Sequence, residues 1–278
     1  EPPYLQTPLN SKLKNLKLIA FIKMLIKSTW TLTVSEPTVL PRSYNLELVK
    51  QLHQQLNLEI GSESTPSTSY SGLLGFYSTN KDFFNFHPEE FYNLSLSGIS
   101  ESSAKAISSL QLSETLEFLG AKFNVINRED KITSYEELYT NLVANEPEPI
   151  RKFELQFLTP TAFSQGKTGL PLPIPTSMFR SWLERWNHFA PVYLGSDDLI
   201  AYLNEAILFK HHKIQTRSWQ LQKGYFNGFV GDVTLQVFQR ADDLLANVAH
   251  LLVNYAEFAG TGMKTRLGMG QTLLKDVN

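Results

Sequence analysis

Four glycines and two cations are concentrated in one short segment near the C-terminus. Residues 259–271 carry Lys264 and Arg266 among these glycines. Glycine permits positive φ and allows backbone N–H groups to approach an anion closely, while the two side chains supply positive charge. The segment therefore predicts an anion-binding loop. Its glycines are Gly260, Gly262, Gly268 and Gly270.

This glycine-rich loop differs from the common nucleotide-binding patterns. A dinucleotide fingerprint lies between a strand and the helix that it opens, whereas this loop closes a predicted helix. The P-loop pattern Gly-x-x-x-x-Gly-Lys-Ser/Thr is absent from the sequence. A helix cap is the structural alternative, but a cap requires one glycine and not four.

The elements before the linker Glu146–Pro149 follow a simple order. Alternating apolar residues predict strands, and apolar residues three or four positions apart predict helices. Ser43 or Asn45 is the predicted cap of the first helix, and Ser134–Glu137 has the form of a capping box that opens a helix to about residue 144. The other predicted elements are strands at 27–34, 70–76, 83–96 and 115–126 and helices at 45–57 and 102–110.

The same order recurs after the linker. Thr176 or Ser177 is the predicted cap of its first helix, and a short helix follows Ser196. The clearest helix of the sequence then leads into the glycine-rich loop. The predicted elements are strands at 153–157, 209–222, 228–238 and 271–274 and helices at 176–186 and 242–258.

Strand, helix, two strands, helix, strand is the order of a ferredoxin-like domain. We predict an α+β protein with two tandem ferredoxin-like (RRM-like) domains, each an antiparallel sheet with helices on one face. The other face of such a sheet is the surface that RNA-recognition modules use, although a fold does not establish function. The predicted division is an N-terminal extension at 1–23, a first domain at 24–148 and a second domain at 149–278.

The N-terminal extension precedes Met24, which opens a strand-like segment and is interpreted as the natural start. An amphipathic helix is the alternative. Lys23 interrupts the apolar run Leu18–Ile26, which is too short to span a bilayer. Neither a signal peptide nor a membrane anchor is expected.

The composition is that of a folded protein without a strong charge bias. The 278 residues are 42% hydrophobic and 19% charged with a formal net charge of −2, which excludes a disordered chain and a histone-like nucleic-acid binder. The sequence has no cysteine, which excludes disulfides, thiolate metal sites and cysteine nucleophiles. A cytoplasmic location is expected, with no cofactor and no metal.

The glycine-rich loop carries a resemblance to a known family. Its spacing, Gly-x-Gly-x-x-x-x-x-Gly-hydrophobic-Gly after the second helix of a second ferredoxin-like domain, is similar to that of the repeat-associated RNA-processing proteins of CRISPR systems. The chain most resembles their repeat-processing endoribonuclease, the Cas six (Cas6) family. Weaker matches are Leu158–Phe163 and Gly228–Thr234. The resemblance covers about residues 24–274.

This resemblance implies metal-independent cleavage of CRISPR precursor RNA within its repeats, which gives guide RNAs. A ribose 2′-OH attacks the adjacent phosphate and leaves a 2′,3′-cyclic phosphate and a 5′-OH. The reaction needs a base, an acid and cations near the phosphorane. His53 is the implied catalytic residue, since many family members place a histidine in the first helix. Tyr44, at the start of that helix, is a candidate for orienting the nucleophile.

The helical position of His53 agrees with this role. At 100° per residue, the side chain falls at the border between the apolar stripe and solvent, where packing would hold a ring that still reaches substrate. An ordinary helix-surface histidine is the alternative. Arg42 or Lys50 could neutralise the phosphate, although a surface or packing role is the alternative for each.

A second basic cluster lies on the predicted hairpin of the second domain. The two histidines of Lys210-His-His-Lys213 are neighbours on a strand, so they face opposite sides and cannot form one metal site by themselves. We interpret Lys210, Lys213, Arg217 and Lys223, together with the glycine-rich loop, as contacts to RNA. A solvated hairpin is the alternative.

The expected partner is CRISPR repeat RNA, and other CRISPR-associated proteins of an interference complex are further expected partners. Two alternatives remain. One is a non-catalytic RNA-binding structural subunit of such a complex, and the other is an unrelated small-molecule-binding protein with tandem ferredoxin-like domains. The presence of His53 at the implied position favours the nuclease.

Overall fold

The computed structural model describes residues 23–58, 64–166, 168–221 and 224–275. The predicted N-terminal extension therefore lies outside the described residues except for Lys23, and so does Lys223. Two α+β units follow one another along the chain, each with an antiparallel sheet. The predicted fold class is confirmed.

The first unit is a ferredoxin-like domain with an added edge strand. Its strands are β1 (Met24–Thr33), β2 (Thr38–Pro41), β3 (Thr68–Gly75), β4 (Ser78–Thr79), β5 (Phe83–Phe86), β6 (Tyr92–Gly98), β7 (Thr115–Phe118) and β8 (Ala121–Ser134). Its helices are α1 (Asn45–Leu56), α2 (Glu101–Ser109) and α3 (Tyr135–Tyr139), which continues as a π-helical turn at Thr140–Ala144. The main sheet has the order β3–β6–β1–β8–β7.

The core of the first domain lies between this sheet and its helices. Trp30 and Leu32 of β1 are buried, as are Leu48 and Leu52 of α1. These four side chains belong to one apolar cluster. A small sheet in the order β2–β5–β4 packs beside it.

The second unit has the same topology, with longer strands only in the hairpin that pairs its second and third main-sheet strands. Its strands are β9 (Lys152–Thr161), β10 (Phe163–Gln165), β11 (Thr168–Leu170), β12 (Ile207–Leu221), β13 (Gly224–Val237) and β14 (Thr272–Lys275). Its helices are α4 (Pro175–Phe189), α5 (Asp197–Ala206) and α6 (Asp243–Ala259), followed by a 3₁₀ turn at Thr265–Leu267. The sheet order is β12–β13–β9–β14.

Within the described ranges, no helix is both long and apolar enough to cross a lipid bilayer.

Several local predictions are wrong for identifiable reasons. The segment predicted as one strand at 115–126 is the hairpin β7–β8, because Leu119 and Gly120 have φ of 51° and 78° and form a two-residue turn. Tyr44 rather than Ser43 precedes α1, with no side-chain cap. The helix α4 begins at Pro175, whose fixed φ suits the first helical position.

Helix caps at Asn45, Thr176 and Ser177 are therefore not formed as predicted, since all three residues lie inside their helices. The predicted cap at Ser134 is present. Its hydroxyl accepts a hydrogen bond from the backbone N–H of Glu137 at 3.0 Å.

One end of the sheet face of the first domain is covered by α6. Ser69 and Ser97 on that face are 2% and 1% exposed. The Ser69 hydroxyl donates to the backbone oxygen of Phe258 on α6 at 3.4 Å, and Lys131 of β8 forms an ion pair with Glu257. The face that RNA-recognition modules use is therefore only partly open in this domain, because the end of α6 packs against it.

Candidate active site

His53 lies in the last turn of α1 and faces β3. Its Nδ1 atom is 3.1 Å from the backbone oxygen of Val49 and 2.9 Å from the hydroxyl oxygen of Tyr70. A carbonyl oxygen only accepts hydrogen bonds, so the contact with Val49 favours the tautomer that carries hydrogen on Nδ1. In that tautomer, Nε2 is the ring nitrogen able to accept a proton.

The predicted border position of His53 is wrong, since the residue is only 3% exposed. A helical wheel shows only how the side chains of one helix lie relative to one another. In the structure, Tyr70 of β3 packs against the imidazole with ring centroids 5.1 Å apart. A neighbouring strand therefore buries what the helix alone would leave partly exposed.

Tyr70 links His53 to the glycine-rich loop. Burial raises the pKa of Tyr70 most strongly, whereas a hydrogen bond with Thr68 and the positive charge of Arg266 lower it. Because burial dominates, the phenol stays protonated at neutral pH. The 3₁₀ turn that carries Arg266 packs against both β3 and α1, which brings this cation near the histidine–tyrosine pair. Sequence reasoning missed Tyr70, since a tyrosine on a buried strand carries no separate signal.

Tyr44 lies at the opposite end of α1 from His53. Nine residues at 1.5 Å each separate the two by about 13 Å along the helix. The Tyr44 hydroxyl accepts a hydrogen bond from the backbone N–H of Leu73 at 2.8 Å, and its ring packs edge-on against Phe84 and Phe86. The predicted role in orienting the nucleophile therefore has no geometric basis.

The glycine-rich loop requires its glycines for its own fold. Each of the four has positive φ, between 69° and 92°. A Cβ atom on Gly270 would lie 2.0 Å from the backbone oxygen of Thr261, and one on Gly262 would lie 2.3 Å from that of Ala162. No other residue fits these two positions without moving the backbone.

The amides of these glycines are not available to a phosphate in this conformation. Each donates a hydrogen bond inside the protein, so the predicted contact through free backbone N–H groups is wrong. The acceptors are Ala256 O for Gly260, Ser181 Oγ for Gly262, Thr265 O for Gly268 and Pro160 O for Gly270.

A buried arginine holds the start of this loop. Arg185 of α4 is 7% exposed and donates to the backbone oxygens of Gly260 at 3.0 Å and Gly262 at 2.5 Å. Carbonyl groups at the C-terminal end of α6 carry partial negative charge, which suits a guanidinium. Sequence analysis missed Arg185 because it lies within an ordinary amphipathic helix.

The cations of the loop have different surroundings. The Nζ atom of Lys264 lies 4.3 Å from the ring centroid of Phe226 on β13. Arg266 lies in the 3₁₀ turn, where its charge acts on Tyr70. The indole N–H of Trp219 donates to Leu267 O at 2.8 Å and fastens the loop to the hairpin.

The basic cluster lies along β12, where most side chains are exposed. Lys210 donates to the side-chain oxygen of Gln236 at 2.7 Å, and Lys213 pairs in register with Asp232. The exposed Arg217 borders a cavity at the start of α1. The C-terminal end of β12 therefore contacts the glycine-rich loop through Trp219, whereas Lys210 and Lys213 lie near the N-terminal end of the same strand.

No cluster of three His, Asp or Glu side chains suited to a metal ion occurs in the described part of the chain.

The segment that forms most of the second domain matches a family model. Residues 155–272 match the model of CRISPR-associated endoribonuclease Cas6, a range that includes the hairpin and the glycine-rich loop. The predicted resemblance to the Cas6 family is confirmed. Two relatives named CRISPR-associated endoribonuclease Cas6 are 29% identical over 120 residues, in Mycobacterium tuberculosis, and 27% identical over 135 residues, in Streptococcus thermophilus.

These matches cover 43% and 48% of this chain and 38% and 55% of the respective Cas6 relatives. The chain thus aligns with about half or less of the length of each. A solved Cas6 product complex is similar over 91% of this chain and 100% of that chain, with a TM-score of 0.69 and 19% identity. That likeness shows the fold of Cas6 over nearly the whole chain.

Proposed function

We propose that this protein binds CRISPR repeat RNA and cleaves it as an endoribonuclease, which releases guide RNAs. The observation that carries the proposal is the pairing of His53 with Tyr70 beside the charge of Arg266. The glycine-rich loop of one domain packs against β3 and α1 of the other, which supports a site that combines a proton-transfer group with a cation. The Cas6 relatives support the same reaction class.

In the proposed reaction, Nε2 of His53 removes the proton from a ribose 2′-OH. The 2′-oxygen attacks the adjacent phosphorus, and the bond from phosphorus to the 5′-oxygen breaks. The 5′-oxygen takes up a proton from water, and the protonated His53 returns its proton to solvent, so the products are a 2′,3′-cyclic phosphate and a 5′-OH. Arg266 stabilises the charge that develops on the phosphorane, and no metal takes part. Tyr70 is a positioning residue that holds Nδ1.

The burial of His53 places a condition on this reaction. At 3% exposure, the ring meets a ribose only after the groups that cover it shift. RNA binding and opening of the site are therefore coupled in the proposal. The same observation favours a second candidate function, an RNA-binding subunit that holds repeat RNA without cutting it.

Single-turnover cleavage of repeat RNA in EDTA, with analysis of the product ends, tests the proposal. We expect the wild type to cleave and to leave a cyclic phosphate. Loss of cleavage in EDTA that magnesium restores would contradict the mechanism. A wild type that binds repeat RNA in a filter assay and never cuts it would favour the second candidate.

The salt dependence of binding tests the RNA interface separately from cleavage. We expect Lys264→Ala with Arg266→Ala to weaken binding and to flatten the slope of log affinity against log salt by about 0.7 for each phosphate that the variant no longer neutralises. Lys105→Ala, a change at an exposed lysine of α2, is the control and should keep the wild-type slope. An unchanged slope in the double variant would remove the loop from the RNA interface.

A further inference from the structure

Two adjoining cavities lie where the start of α1 faces the β12–β13 hairpin. The inner cavity, of about 380 Å³, is bordered by Arg42, Arg217, Tyr77 and Trp219. The outer cavity, of about 320 Å³, shares Arg42 with it and is bordered by Tyr225. Each volume lies near the lower limit of the volumes of ligand-binding cavities in proteins. Arg42 therefore stands at the junction of two compartments of similar size.

The two arginines face the inner cavity without an acidic partner. Among the described residues, neither Arg42 nor Arg217 takes part in an ion pair. Both act on the hydroxyl of Tyr77, whose pKa is raised by burial and lowered by these two charges. Two guanidinium groups near one hydroxyl repel each other, so an anion between them would be stabilised.

Unused polar groups mark the same cavity. The Oδ1 atom of Asn45 is buried without a hydrogen-bond partner, and the residue is 3% exposed. The Nε atom of Arg42 is also buried and unpaired. A buried acceptor and donor without partners cost free energy. Both atoms are covered in this conformation, so a ligand would pair with them only after the surrounding side chains shift.

The aromatic walls complete a site for a nucleic acid. Trp219 is fixed by its bond to Leu267 O, and the guanidinium of Arg42 lies 5.6 Å from the ring centroid of Phe84. Tyr225 is 68% exposed at the rim of the outer cavity. Aromatic faces that stack bases next to cations that bind phosphate are the usual means of holding single-stranded RNA.

We propose that these cavities form a dinucleotide subsite, with one nucleoside in the inner cavity, the next stacked on Tyr225, and their linking phosphate between Arg42 and Arg217. The proposal rests on the proposed function in that the ligand is the same RNA. The subsite lies at the start of α1, about 12 Å along the helix from His53. It holds the RNA away from the cut bond and thereby contributes to the choice of cleavage position.

Repeat RNAs that each carry one neutral methylphosphonate linkage provide the test, with binding measured by filter assay. We expect one linkage whose neutralisation weakens wild-type binding roughly ten- to hundredfold, as for loss of a hydrogen bond to a charged group. In the Arg42→Ala, Arg217→Ala double variant, the same linkage should have no effect. Arg240→Ala, at an exposed arginine beyond the end of β13, should keep the wild-type pattern.

A double variant that responds to every neutral linkage as the wild type does would overturn the subsite. A wild type that does not bind repeat RNA at all would instead overturn the proposed function. The stacking step has its own comparison, in which Tyr225→Ala should weaken binding about 5- to 100-fold and Tyr225→Phe should not. Equal losses in the two variants would contradict stacking on this ring.

Discussion

The Nδ1 atom of His53 lies 2.9 Å from the hydroxyl oxygen of Tyr70, which joins the last turn of α1 to β3. Both residues are almost fully buried. The pair therefore belongs to the core as well as to the candidate site. A change at either residue is expected to affect stability and chemistry together, and the two effects must be measured separately.

His53→Ala should lower the single-turnover cleavage rate about 10²- to 10⁴-fold, the usual contribution of a positioned proton-transfer group. It should also lower the free energy of unfolding by about 1–3 kcal/mol, because it leaves the buried Tyr70 hydroxyl without this partner. Urea unfolding and single-turnover cleavage at saturating protein separate the two.

Tyr70→Phe is the matched variant, since it keeps the ring and removes the hydroxyl. It should lower the free energy of unfolding by about 1 kcal/mol and shift the pH profile of cleavage, because the Tyr70 hydroxyl no longer holds Nδ1 of His53. A His53→Ala protein that cleaves at the wild-type rate would move the proton-transfer role to another residue.

Gly270→Ala should destabilise the protein far more than Gly120→Ala. Both glycines have positive φ, at 74° and 78°, so each alanine carries the conformational cost of about 1–2 kcal/mol. Only at Gly270 would the new Cβ meet a backbone oxygen, at 2.0 Å, whereas nothing lies within 4 Å at Gly120. Thermal unfolding of the two variants measures the difference. Equal midpoints would show that the loop can relax around a side chain.

Arg185→Met should weaken the attachment of the glycine-rich loop to α4. The change removes two hydrogen bonds to Gly260 and Gly262 and leaves their buried oxygens unsatisfied, at an expected cost of about 2–5 kcal/mol. The hydrogen-exchange rate of the loop amides should increase more than that of the amides in α2. Arg180→Met, at a half-exposed arginine of the same helix, is the control. Unchanged exchange in the Arg185 variant would contradict the clamp.

His250 is expected to make stability fall as the pH is lowered. Burial against Phe153, with ring centroids 5.7 Å apart, lowers the pKa of His250 from its usual value near 6.5. The unfolded chain therefore binds a proton before the folded chain does, and the free energy of unfolding falls as the pH decreases through 6.5 toward the lowered folded value.

His250→Phe, which keeps a ring at this position, should remove this part of the pH dependence between roughly pH 7 and pH 5. Urea unfolding of both proteins across that range provides the comparison. Cleavage by the variant near neutral pH should match the wild type, since His250 lies on the side of α6 that packs against β9. If the free energy of unfolding varied with pH equally in the wild type and the variant, His250 would have the same pKa in the folded and unfolded states.

The sequence determined the order of most helices and main-sheet strands and the identity of the glycine-rich loop. The spacing of apolar residues within one segment indicates which of its faces is buried. This spacing can be read from the segment alone, so helices such as α6 and the paired strands β12 and β13 were predictable. The loop was recognisable because four glycines with two cations form an unusual local pattern.

Only the tertiary structure decided what surrounds each candidate residue. His53 is buried because β3 packs over it. Tyr44 lies in the core, where its hydroxyl accepts a hydrogen bond from the backbone N–H of Leu73 on β3. Arg185 holds the loop through Gly260, which is 75 residues away in sequence. Such contacts arise between segments that are distant in sequence. Periodicity along one element therefore cannot report them, because burial by a second element leaves no trace in the first.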